Sequence, residues 1–97
     1  MEHEPAFMIR LCSDKAAYEA IPRRRLKLDL AKIKRFFQLK RNCEITLWTK
    51  QLMVVKRNDA TEITIVDDGR LIIRNVVDQQ AAQRIAEELL PELDAEG

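Results

Sequence analysis

The chain has 97 residues, 46% hydrophobic and 34% charged, a balance typical of one small globular domain rather than a disordered, collagenous or membrane-embedded chain. It holds one His, one Ser, two Cys and two Gly. With Gly69 the only internal glycine, no phosphate-cradling glycine loop exists, and a Ser-His-Asp constellation would need His3, next to the amino terminus.

The net charge of +1 conceals a separation along the chain. Residues 1–57 carry 14 Lys/Arg against 6 Asp/Glu, and residues 58–97 carry 3 against 10. The densest stretch, Arg23–Arg41, has nine basic residues opposed only by Asp29. A basic face for an anionic partner, or attraction between the two halves, accounts equally for such a split. Cys12 and Cys43 make no disulfide framework and no CxxC pair, and residues 6–12 form a short apolar patch broken by Arg10 and preceded by Glu2 and Glu4, without the cationic start of a signal peptide. The expected location is cytoplasmic, with no cofactor, no metal and no membrane anchor.

Residues 1–27 read as an N-terminal segment outside the main domain. Phe7–Cys12 suits a short strand, Asp14 suits the cap of a helical turn through Ala20, and Pro22 followed by three arginines suits a connector. Residues 28–97 read as the domain proper. Asp29 is an N-cap residue, and Leu30, Ile33 and Phe37 recur at helical spacing, which predicts an amphipathic helix over about 30–40. Glu44–Trp48 then alternates, predicting a strand with Ile45 and Leu47 inward and Trp48 outward. Thr49-Lys50 turns the chain into Gln51–Arg57, which is apolar on both sides and therefore central. Glu62–Asp67 and Arg70–Val76 alternate again, joined by Asp68-Gly69, a dipeptide suited to a primed two-residue turn. Asp78 caps a last helix with Ala82, Ile85, Leu89 and Leu93 as its stripe, which Pro91 ends or kinks.

The expected fold is α+β and two-layered: helix, four-stranded antiparallel meander, helix, with both helices on one sheet face. The second face would then present Thr46, Trp48, Val66, Arg70, Ile72 and Arg74, joined in one register by Met53 and Val55. A face so apolar suits a homodimer or a protein partner. Nucleic acid is the alternative, held by Arg23, Arg24, Arg25, Lys27, Lys32 and Arg35 with the sheet arginines. No cluster of catalytic residue types stands out, so the chain is expected not to be an enzyme.

From Leu28 to about residue 90 the pattern resembles the C-terminal accessory module of E1-like adenylyltransferases of the ThiF/MoeB/HesA type. The resemblance is carried by Leu28-Asp29-Leu30, by Glu62-Ile63-Thr64-Ile65, by Asp68-Gly69-Arg70-Leu71-Ile72-Ile73, and by the helix with Ala82 and Arg84 after Asp78. It implies a TBP-like half-repeat that binds a partner, an E1-like enzyme or a sulfur carrier, in ubiquitin-like protein activation or sulfur transfer. The nucleotide-binding domain, the catalytic arginines and the zinc-binding CxxC pairs of that family are missing here, and Glu88-Leu89-Leu90-Pro91 replaces its usual aromatic-glycine ending. Adenylation is therefore not implied.

Overall fold

The computed structural model describes residues 7–11, 17–39 and 42–96. Eight elements follow in order: β1 (Phe7–Leu11), β2 (Tyr18–Pro22), α1 (Leu30–Gln38), β3 (Cys43–Trp48), β4 (Leu52–Arg57), β5 (Glu62–Val66), β6 (Leu71–Arg74) and α2 (Gln79–Glu96). All six strands form one antiparallel sheet in the order β1-β2-β6-β5-β4-β3.

The sheet therefore has six strands where four were expected. Residues 18–22, expected to continue a helical turn, pair with β6 instead, Ala20 opposite Leu71 and Tyr18 opposite Ile73. Phe7–Leu11 and Tyr18–Pro22 thus belong to the same sheet as the strands that follow. The physical reason is the edge of β6. An unpaired row of backbone donors and acceptors beside a core of Leu71 and Ile73 is costly, and Ala20 is small enough to fit beneath α2. Asp14 lies outside the described residues.

Both helices pack on one face. Leu30, Ile33 and Phe37 of α1 and Ala82, Ile85, Ala86, Leu89, Leu90 and Leu93 of α2 close over Met53, Val55, Ile63, Ile65, Leu71 and Ile73. Those six strand residues are at most 1% exposed. Each such burial removes enough apolar surface to stabilise by about 1.5–3 kcal/mol before entropy is counted. Caps behave as their residues dictate: the Asp29 carboxylate accepts from the Ala31 N–H at 3.0 Å, and that of Asp78 from the Ala81 N–H at 2.9 Å. Pro91 does not end α2, which continues to Glu96.

The β4–β5 and β5–β6 hairpin loops share one hydrogen-bond frame. In β4–β5, Ala60 N–H donates to the Arg57 carbonyl and Arg57 N–H to that of Thr61; in β5–β6, Gly69 N–H donates to Val66 and Val66 N–H to Arg70. Each is a three-residue loop ending in a left-handed residue, Ala60 at φ 72° and Gly69 at φ 99°. The expected two-residue turn at Asp68-Gly69 is thus one residue longer. Its glycine is needed twice over, since a Cβ at Gly69 would also meet Leu26 at 2.9 Å.

Candidate contact surface on the open sheet face

The face opposite the helices is built by strand alternation. Register carries the core position of each strand to its neighbour, and the residues between point the other way. Opposite the helices lie three rows. Leu52 pairs with Val66, with Arg70 beyond. Leu47, Val54, Thr64 and Ile72 are in line, followed by Glu19 and Arg10. Glu44, Lys56, Glu62 and Arg74 form the third. Leu52, Val54, Thr64, Val66 and Ile72 are half-buried although no described element covers them, because neighbouring side chains on a flat sheet shield one another. Their centre is a strip of five aliphatic side chains and one threonine.

Register corrects the expected face at its β3 end. The pairing runs Ile45 with Val55, then Leu47 with Val54 and Trp48 with Met53, so Thr46 is an extra residue in a β-bulge. One inserted residue reverses everything beyond it. Leu47 joins the open face at 50% exposure, while Trp48 moves to the helix side. There the Lys34 ammonium from α1 sits 4.3 Å from the Trp48 ring centroid. Trp48 keeps 43% of its surface exposed, in a shallow recess with Lys34, Phe37 and Cys43. The advantage of the bulge is local: Trp48 gains a cation over its ring, and an edge strand that bends is poorly suited to further pairing. No glycine marks it, so nothing in the alternating sequence announces it.

Met53 and Val55 are also not on this face. They are fully buried against the helices, because β4 takes the register that places Leu52 and Val54 outward. Val66, Arg70, Ile72 and Arg74 do lie on the open side, and Thr46 is the exposed bulge residue, its hydroxyl 3.4 Å from the Val54 carbonyl. Leu47, turned outward by the bulge, and Leu52 and Val54, turned outward by the register of β4, complete the strip.

A charged cluster closes the strip at the β2 side. Glu19 is only 6% exposed. One of its carboxylate oxygens accepts from Arg10 Nε at 3.0 Å and Nη2 at 2.9 Å, and the other from Arg70 Nη1 at 3.3 Å. Arg70 Nε in turn donates to Asp68 at 2.9 Å, which raises the arginine further above its ordinary value. A carboxylate shielded between two guanidinium groups is satisfied, and it holds Arg70 in place. Arg70 is therefore engaged within the chain.

The six basic residues considered for anion binding do not converge. Leu26 and Leu28 donate backbone N–H bonds to the carbonyls of Asp68 and Asp67, fastening the connector across the β5–β6 loop. That alternation turns the leucines in and sends Arg25 and Lys27 outward, while Lys32 and Arg35 occupy the exposed side of α1. Arg23 and Arg24 instead line a cleft of about 1140 Å³ between the β1–β2 hairpin and α2, beside Glu87, Leu90 and Pro91. Glu87 lines the same cleft as Arg23 and Arg24, so among the described residues these six cations do not gather in one pocket free of acidic groups.

Among the described residues no group of three or more His, Cys, Asp or Glu could hold a metal ion, and no helix is long and apolar enough to cross a membrane. Cys43 is a half-buried free thiol, and Cys12 and His3 lie outside the described residues. Comparison with protein-family models, with curated proteins and with solved structures found no match.

Proposed function

We propose that this chain is a non-catalytic interaction module whose contact surface is the open sheet face. The single observation that carries this reading is the aliphatic strip Leu47, Leu52, Val54, Val66 and Ile72, left uncovered once both helices have packed behind the sheet. Threonine, lysine or glutamate at these positions would serve a solvated face equally well, and apolar residues there bring an aggregation liability unless something covers them. Charged residues border the strip on two sides, as a polar rim borders the apolar centre of a protein interface.

The finer reading follows from the residue pattern described above. A module resembling the TBP-like accessory domain of E1-like adenylyltransferases would assist ubiquitin-like protein activation or sulfur transfer by docking a protein. The cytoplasm is the compartment in which it would do so. Nucleic acid is the weaker occupant. Arg70 is already engaged by Asp68 and Glu19, and the basic side chains of 23–35 are spread over two elements beside acidic neighbours.

The test is Ile72→Arg, which places a charge in the middle row of the strip, at its β6 end, and leaves the core untouched. Circular dichroism should be unchanged, while self-association measured by light scattering, or binding to a purified E1-like enzyme or sulfur carrier, should be lost. A folded Ile72→Arg protein that associates and binds as well as the wild type overturns the reading.

A further inference from the structure

We infer that the occupant of the open face is a second copy of this chain, packed face to face about a two-fold axis that runs parallel to the strands between β4 and β5. The inference rests on the contact-surface reading above and adds the partner and its orientation. It comes from the order of charges across the sheet. Reading from β6 to β3, the outermost row is Arg74, Glu62, Lys56, Glu44: plus, minus, plus, minus. Such a row is its own complement when reversed. Rotation about an axis between β4 and β5 exchanges β4 with β5 and β3 with β6 while keeping each row at its own height. It sets Lys56 over the partner's Glu62, and Arg74 over the partner's Glu44. Symmetry then repeats both contacts, so four opposite-charge pairs form from two kinds.

The apolar rows agree with the same operation. In the middle row Ile72 falls on the partner's Leu47 and Val54 on the partner's Thr64; in the third, Val66 falls on the partner's Leu52. Sheets stacked in this aligned way sit about 10 Å apart with strands within about 30° of each other, close enough for these side chains to interdigitate. The cluster of Arg10, Glu19 and Asp68 stays at the periphery, where its charges remain hydrated.

The other in-plane two-fold fails on the same residues. An axis perpendicular to the strands would invert the rows and lay Arg74 over the partner's Arg70. Glu62 would fall on the partner's Val66 and Lys56 on the partner's Leu52. Two like charges would meet and two charges would lose water against aliphatic groups, both unfavourable. The charge order thus selects one orientation.

The experiment is a charge-reversal exchange followed by sedimentation. Lys56→Glu and Glu62→Lys are prepared separately, and each should keep the wild-type circular dichroism spectrum. The wild type should be dimeric. Each variant alone should dimerise at least about tenfold more weakly, because both symmetry-related contacts become repulsive. An equimolar mixture of the two variants should recover the dimer, since the 56–62 contacts between unlike chains are then of opposite charge. Mixing changes no contact inside either chain, so recovery cannot come from folding. Failure to recover, with Ile72→Arg still abolishing the dimer, overturns the two-fold arrangement and leaves the contact-surface reading standing. A wild type that is monomeric at every concentration overturns the second copy as occupant, and the purified-partner arm above then decides the surface. A dimer that survives Ile72→Arg and both reversals overturns both.

Discussion

The two faces of one sheet are made from the same strands and nearly the same residue types, yet they have opposite fates. On one side Met53, Val55, Ile63, Ile65, Leu71 and Ile73 are sealed beneath α1 and α2. On the other, Leu52, Val54, Val66 and Ile72 are only half-buried by one another. Strand alternation separates the two sets, but it does not say which set a helix will cover. That follows from where the helices' stripes can reach. Aliphatic character alone therefore does not mark the core, and the surplus on the second face has its own physical cause.

Shortening one isoleucine on each face should separate the two most widely. Ile65→Ala leaves a cavity under the helices and should cost about 2–5 kcal/mol in chemical denaturation. Ile72→Ala in the isolated monomer should cost less than about 1 kcal/mol, because its surroundings already touch water. Equal costs would mean that the open face is as closed as the helix-covered one. If Ile72 lies in an interface, its cost must also grow with protein concentration, whereas that of Ile65 should not.

A smaller effect is expected where the loops hold the strands in register. Gly69→Ala forces a side chain into a left-handed backbone and against Leu26, and should destabilise by about 1–3 kcal/mol. Ala60 occupies the equivalent place in the β4–β5 loop with φ 72°, so Ala60→Gly relieves strain there. The strain released, about 1–2 kcal/mol, is opposed by about 0.4–1 kcal/mol from the added freedom of the unfolded chain, so the net effect should be a stabilisation of about 1 kcal/mol or less. Thermal unfolding of both variants checks the pair, and a stabilising Gly69→Ala would contradict the shared loop geometry.

The smallest expected effect is acid sensitivity at that same loop. Asp59 accepts the Thr61 backbone N–H at 3.0 Å, chiefly for which its carboxyl titrates below its ordinary value. A folded-state value lowered in this way contributes stability that is present above the unfolded value, near 3.9, and is lost as pH falls through the folded one. Urea midpoints of the wild type should therefore drop more between pH 5 and pH 2 (roughly the window in which carboxylates titrate) than those of Asp59→Asn. Parallel pH profiles would show that this hydrogen bond does not distinguish folded from unfolded chain.

Much of the fold was legible because it depends on short-range pattern. Asp29 and Asp78 as caps, the stripes of both helices, strands β3 to β6 and the inward set Ile45, Ile63, Ile65, Leu71 and Ile73 all follow from spacing within a few residues. Residues 18–22 were not legible. Tyr-Glu-Ala-Ile-Pro has no strict alternation, and its strand exists because β6 offers an edge about fifty residues further on. The open face was legible in its β5 and β6 residues and misread in β3 and β4. Alternation alone points Trp48 outward, and the bulge at Thr46 interrupts it; Met53 and Val55 fall outward in only one of the two registers that an all-apolar strand allows.

Periodicity and capping are local properties of consecutive residues, so the helices, most of the strands and the sides to which their residues alternate can be read from short segments. Long-range packing is what brings β2 into the sheet, Glu19 between Arg10 and Arg70, Trp48 under Lys34, and Leu47 onto the open face. These depend on which backbone edges meet and in what register. That choice is settled by the packing of the whole sheet against two helices, and no single segment carries it.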